Sequence, residues 1–252
     1  MSDSLDLTLF AHMCRRPDAE LDLAEAALLI AQSEYPGLDL VHYVRLLDEL
    51  GREAKGAVDA AEAAGEIRHK EPGRLTCAVS WLFEEAGFHG NQLDYYDPKN
   101  SFLNDVLDRR TGIPITLGVV VLEVLNRAGI PAKGVSFPGH FLVRCDTQRG
   151  GYIVDPFTGK LLSRDDLKAL YARSTGNEGE APAKLLEPAP KRQILVRMLA
   201  NLRGIYERRE DSQRLRRVLE RMQVLSPSED VKRELVKLGG SAPWRSSGRE
   251  LN

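Results

Sequence analysis

At 252 residues, with 42% hydrophobic and 29% charged side chains and a formal net charge of −2 at pH 7, the chain has an ordinary soluble composition, enough for one large domain or a central domain with extensions. No run approaches the roughly 20 apolar residues of a membrane span, and the opening MSDSLDLTLF is acidic where a secretory signal would be basic, so a cytoplasmic protein without membrane contact is expected. Three scattered cysteines with no CxxC pair exclude a disulfide framework and a thiolate zinc site.

Residues 5–14, 20–33 and 39–64 carry apolar side chains at helical spacing, rich in alanine and leucine, separated by Arg16–Pro17 and by Tyr35–Pro36–Gly37. A fourth helix is expected over 73–86 with Leu75, Val79, Leu82 and Phe83 inward, so residues 1–90 read as a helical N-terminal section. His12, His42, His69 and His89 are scattered without ligand spacing, which assigns them to the surface or to satisfied core positions.

The loop 90–99 is polar and aromatic, the kind of segment from which binding rims are made, and Asn91, Asp94, Tyr95, Tyr96 and Asn100 are its candidates to line a cleft. Asp97–Pro98 should turn the chain, with Asn100 or Ser101 capping a helix over 102–110. Thr111–Gly112–Ile113–Pro114 then opens an apolar run that Gly129 and Pro131 stop. Only Glu123, Asn126 and Arg127 form a polar edge on it, so the helix over 114–128 is expected to be buried.

Residues 132–137, 140–146 and 151–155 read as strands, the last two as a hairpin. If Asp146 pairs with Gly151, Asp155 falls opposite Leu142 and shares a face with His140, close enough for the side chains to meet. A carboxylate beside an imidazole fixes its tautomer and stabilises the imidazolium, as hydrolases and acyl transferases require. Cys145 lies at odd spacing from His140, so it points to the other sheet face, and a metal centre on His140, Cys145 and Asp155 is not expected.

Ser163 starts a short helix, residues 174–190 read as a linker, and helices are expected over 191–209, 212–225 and 228–238 before a flexible tail, 239–252. Residues 1–68 hold 14 acidic and 6 basic side chains, whereas 189–221 hold 10 basic and 4 acidic. The basic segment 191–221 could meet nucleic acid, but Tyr206 is its one aromatic and no nucleic-acid module is present. Solvated faces, attracting one another, account for the charge more simply.

The order of helix, strand, His strand and Asp strand resembles the transglutaminase-like superfamily, relatives of papain-type cysteine proteases. More narrowly, Tyr96, Pro98, Asn100–Ser101, Val106–Leu107, Arg110, Gly112–Ile113–Pro114–Ile115, Leu117–Gly118 and Pro138–Gly139–His140–Phe141–Leu142 look like the bacterial SirB-type branch. The resemblance implies an α+β fold: a transglutaminase-like, papain-like core over 91–173, with a small antiparallel sheet packed on a buried helix, flanked by helical N- and C-terminal sections. The C-terminal section, 191–238, resembles a tetratricopeptide-type helix pair. His140 and Asp155 match the catalytic histidine and aspartate, but the nucleophilic cysteine would stand about 15 residues before the glycine ending the buried helix, where this chain has Pro114. Cys14, Cys77 and Cys145 have no sequence reason to approach His140.

Two functions are therefore open. One is a noncatalytic or regulatory module that binds a protein or peptide without a cofactor. The other is a hydrolase or acyl transferase in which His140 is general base, Asp155 orients it, and Thr116 or water attacks. Thr116 has a plainer role available, a hydrogen bond to the backbone at the helix start.

Overall fold

The computed structural model describes residues 2–67, 70–147 and 150–239. His69 and all but the first residue of the expected tail lie outside the described residues. The chain begins with three helices, α1 (Ser2–Met13), α2 (Leu23–Gln32) and α3 (Leu40–Ala63). Asp22 and Asp39 start α2 and α3 by accepting from the backbone amides of Glu25 (2.9 Å) and His42 (3.1 Å), two donors that lack intrahelical partners. Every residue of α2 from Leu23 to Ala31 except Glu25 is buried, because α1, α3 and three later helices surround it.

Helix α4 (Lys70–Ser80) does not run on to residue 86: Trp81–Glu85 is a single turn of π-helix. A two-residue strand β1 (His89–Gly90) then pairs in parallel with β2 (Thr111–Gly112), a ladder too short for any alternation to announce it. Between them lie the polar loop, a 3₁₀ turn at Pro98–Asn100 that Asp97 caps, and α5 (Leu103–Arg109). The expected Asn100 or Ser101 cap is absent; Phe102 stands at the N-cap without a side-chain hydrogen bond.

The buried helix α6 (Pro114–Arg127) is enclosed from Pro114 to Leu122 and again at Val124 and Leu125. Each fully buried Val or Leu contributes about 1.5–3 kcal/mol relative to exposure. Its polar edge docks α3: Arg127 Nε donates to Asp48 Oδ1 at 2.7 Å and its guanidinium also pairs with Glu123. Asn126 accepts from the Ala132 amide (2.9 Å) and donates to the Ala132 carbonyl, tying the exit from α6 to the first sheet strand.

The main sheet is antiparallel, with strands in sequence order: β3 (Lys133–Val135), β4 (Leu142–Thr147), β5 (Gly150–Asp155) and β6 (Lys160–Leu162). Asp146 pairs with Gly151 and Val143 with Val154, the register expected from the sequence. One face, with Val143, Cys145 and Val154, joins the core around α6. The other, with Val135, Leu142 and Ile153, is covered by Leu167, Leu170 and Tyr171 of α7 (Arg164–Thr175) and by Ala181, Leu185 and Leu186. Residues within 174–190 thus lie on the sheet, and the Ala189 amide donates to the Gly134 carbonyl at 2.8 Å.

Helices α8 (Lys191–Arg208), α9 (Ser212–Leu225) and α10 (Glu229–Lys237) close the fold. Asp18 accepts from the amides of Lys191 (3.0 Å) and Arg192 (2.9 Å), so a carboxylate from the N-terminal section occupies the positive end of α8. Glu34 receives three hydrogen bonds from Arg214, two of them from Nε at 2.7 and 2.9 Å. The acidic and basic segments are therefore in contact. No helix among the described residues is long and apolar enough to cross a membrane.

Candidate functional site

Pro114 begins α6 directly after the extended residue Ile113, and the β1–β2 ladder brings the polar loop to this end of the helix: the Asn91 amide donates to the Gly112 carbonyl at 2.9 Å. Proline suits the first helical position because its missing N–H would have had no partner there.

His140 approaches from the sheet. It lies in a turn two residues before β4, not on a strand as the sequence suggested. The His140 amide donates to the Phe137 carbonyl at 3.1 Å, and Gly139 adopts φ +64°, which turns the chain away before Leu142 pairs with Val135. The turn is fixed by Phe141, whose ring lies on Gly118 in the second turn of α6; a Cβ at 118 would stand 2.3 Å from Phe141 Cδ1. The Leu117–Gly118 and Gly139–His140–Phe141 segments are thus one interlocked contact.

From there His140 meets Asp155 at the end of β5, Nε2 to Oδ1 at 2.8 Å, with only 16% and 13% of the two side chains exposed. Asp155 also accepts from the Phe157 amide (2.9 Å) and the Thr158 hydroxyl (3.0 Å). Burial would raise its pKa, but the bond to His140, that ring's charge, and the Phe157 and Thr158 donors outweigh it and hold the carboxyl below its ordinary value. The carboxylate favours a proton on Nε2, which leaves Nδ1 as the lone-pair nitrogen of the neutral ring. The 155–159 turn is clamped in place by Phe157 on Gly90 and by Phe83, from the π turn, on Gly159.

The other expected residues divide. Thr116 is fully enclosed, and its hydroxyl bonds neither to the backbone nor to His140. Asn100 is also enclosed and so lines no cleft: its amide group donates to the carbonyls of Asp94 (2.7 Å) and Tyr95 (3.3 Å) and accepts from Asn91. Asn91 in turn accepts from the Leu93 and Asp94 amides. These two asparagines build the loop, and Asp94 contributes its backbone to it. Beside the exposed polar side chains of Gln92, Asp94 and Lys99, the loop presents Leu93, fully exposed, and Tyr95 and Tyr96, 40% and 55% exposed. Tyr95 packs edge-on against Tyr96 and stacks obliquely near Phe157, the residue that holds Asp155.

Cys14 and Cys145 are buried, and burial pushes the Cys14 thiol up to about 11 despite the nearby Arg192. Cys77 is partly exposed, its thiol raised by burial and by Glu85 and Glu66. No group of three His, Cys, Asp or Glu that could hold a metal gathers among the described residues.

Sequence reasoning missed the contribution of α8. Arg197 Nη1 donates to Ser136 Oγ (2.9 Å) and to the Phe137 carbonyl (3.0 Å), the oxygen that also receives the His140 amide. Arg208 lies 4.3 Å above the Tyr96 ring. Within a run of ten basic residues, nothing marked these two as different from the solvated remainder.

A family model described as the transglutaminase-like superfamily matches residues 42–200, from α3 into α8. A UPF0162 protein of Xylella fastidiosa is 38% identical over 235 residues, 91% of this chain and 80% of that protein. A UPF0162 protein of Pseudomonas aeruginosa is 34% identical over 184 residues, 73% of this chain and 64% of that protein. F-box only protein 21 of Homo sapiens is 33% identical over 136 residues, 50% of this chain and 21% of that protein. No solved structure matches.

Proposed function

The chain belongs to the transglutaminase-like superfamily, and from that membership we propose a protein-binding module of the SirB-type branch that performs no cysteine chemistry. The observation that carries the reading is the pairing of an assembled His140–Asp155 contact with a proline at 114, the position that the family resemblance assigns to the nucleophile. In this reading His140 and Asp155 no longer activate a thiol; they fasten the 137–140 turn to the 155–159 turn, which supports Tyr95 through Phe157. The binding surface is the loop carrying Leu93, Tyr95 and Tyr96, whose exposed aromatic rings give contact area at low entropic cost. A segment related to half this chain forms about a fifth of F-box only protein 21, and such recurrence inside a longer protein supports a module. α8, read with α9 as one tetratricopeptide-like pair, reaches the surface through Arg208 over the Tyr96 ring, and three free cysteines fit a reducing, cytoplasmic setting.

The catalytic reading has one observation in its favour: among the described residues His140 Nδ1 makes no hydrogen bond, so it could accept a proton from water. Against it stands the enclosure of Thr116. A photoreactive residue at position 93 should give a discrete polypeptide adduct in cells, lost when Tyr95 and Tyr96 are both replaced by alanine and kept in a variant with all three cysteines replaced. Hydroxamate formation from protein substrates in the presence of hydroxylamine, dependent on His140, would contradict this function in favour of acyl transfer.

A further inference from the structure

Arg197 is a charge that the function proposed above leaves unused. It projects from α8 into the contact between that helix and the His140 turn, half-buried, and its ordered partners are a hydroxyl and a carbonyl, both reached through Nη1. Among the described residues Nε and Nη2 find no hydrogen-bond partner, yet neither is sealed from solvent. No carboxylate among the described residues pairs with it; elsewhere on α8 and α9, Arg203, Arg214 and Arg216 find one, whereas the more exposed Arg192 and Arg209 meet a carbonyl and Arg208 a ring. Burial lowers the guanidinium pKa, and the one titratable group that acts on it in return is the Tyr95 phenol. A half-buried cation without a counter-ion is an unfavourable arrangement that proteins ordinarily relieve by pairing.

We propose that Arg197 receives a single carboxylate of the bound peptide, and that the apolar residue beside that carboxylate packs on Tyr95 and Leu93. The inference rests on the binding function proposed above and names the chemistry that function recognises. Three features select a carboxylate. Nε and Nη2 form the side-on edge of a guanidinium, two parallel donors whose spacing matches the two oxygens of a carboxylate. Arg197 is held in orientation before binding by its Nη1 contacts, so little rotamer freedom remains to be lost. The Asp155 carboxylate is already engaged by His140, Phe157 and Thr158, so it is not available to Arg197, and a single guanidinium suits a monoanion better than a dianion. Leu93 is fully exposed and Tyr95 remains 40% exposed beyond its ring contacts, apolar surface that a bound side chain would cover.

The probes are N-acetyl-phenylalanine, which carries a terminal carboxylate, N-acetyl-aspartyl-phenylalaninamide, which carries a side-chain carboxylate, N-acetyl-phenylalaninamide, which carries none, and phenyl phosphate. Titration into the full-length protein, followed through the arginine Nε–Hε resonances, should shift the Arg197 signal with at least one carboxylate probe. That probe should bind about tenfold or more tightly than the neutral amide, the scale of one charge-assisted bidentate contact. Whichever of the two binds more tightly identifies the source as a chain terminus or an acidic side chain. Arg197→Gln should abolish the preference for carboxylate over amide, and Arg197→Lys should restore only part of it.

Equal binding of the neutral amide, phosphate binding as tight as carboxylate, or a preference unchanged in Arg197→Gln would each overturn the proposal. If Arg197→Gln fails to fold, the wild-type preference and the Arg197 shift decide the matter alone. Cross-linking from position 93 that persists while every carboxylate probe fails would remove this inference and leave the binding function standing; His140-dependent hydroxamate formation would remove the function itself.

Discussion

His140 and Asp155 each explain the other's orientation, and the cost of separating them can be read from the same bonds. Asp155 accepts from an imidazole, an amide and a hydroxyl, so Asp155→Asn should remove about 1.5–3 kcal/mol of stability at neutral pH, the range for a hydrogen bond to a charged group. The folded pKa of this carboxyl lies below its ordinary 3.8. Its contribution is therefore complete above the ordinary carboxylate range and is lost as pH falls through the depressed folded value. Urea unfolding of wild type and Asp155→Asn from about pH 7 to about pH 3 should show the difference narrowing only at the acid end. A difference that is flat with pH would mean that the carboxylate charge contributes nothing to the fold. At this scale the residue types of the pair were legible, because a hairpin has only two faces and its register was set by Asp146 and Gly151. The turn that carries His140 was not, since Pro138–Gly139 marks a break without saying how many residues it spans, and the strand begins only at Leu142.

Among the elements, α6 is central, and what positions it is the close approach of Phe141 at Gly118. Gly118→Ala would put a methyl group 2.3 Å from the ring. Overpacking of this kind costs about 1–3 kcal/mol, although alanine is the better helix former. The urea midpoint of Gly118→Ala should fall, and adding Phe141→Leu should recover part of the loss; a midpoint that rises would show that the ring moves aside freely. The helix itself was readable from its proline start, its glycine stop and the unbroken apolar run between them. The β1–β2 ladder and the π turn at Trp81–Glu85 were not, because two residues show no period and a π turn has the same apolar spacing as the helix it ends. Nor did the sequence reveal that Asn91 and Asn100 spend their amides on the loop, since a loop asparagine reads equally as a ligand to a substrate or to its own backbone.

Taken whole, the molecule has one main core that runs from the N-terminal helices through α6 into α8 and α9. Ile194, Leu195, Met198, Leu199 and Leu202 are at most 2% exposed in that core. At about 1.5–3 kcal/mol for each such side chain, losing them removes as much as the whole stability of a typical domain, about 5–15 kcal/mol. A chain truncated after residue 189 should therefore show no cooperative thermal unfolding, and a truncated chain that melts cooperatively would show that the sheet and α6 stand without the C-terminal helices. The opposite charges of the two ends were visible in the sequence, but their pairing was not, because Asp18 and Glu34 meet Lys191 and Arg214 only after the chain has folded. Arg197 was hidden for the complementary reason: what distinguishes it is partial burial without a carboxylate among the described residues. The central claim, that this fold keeps the His–Asp half of a cysteine triad over an emptied nucleophile position, is tested most directly by Pro114→Cys in a background without the native cysteines. Alkylation rate against pH should give a thiol pKa well below the ~8.5 of free cysteine, through the helix N-terminus and the His140 ring, and His140→Ala should raise it again. An alkylatable thiol with an ordinary pKa that ignores His140 would contradict the account.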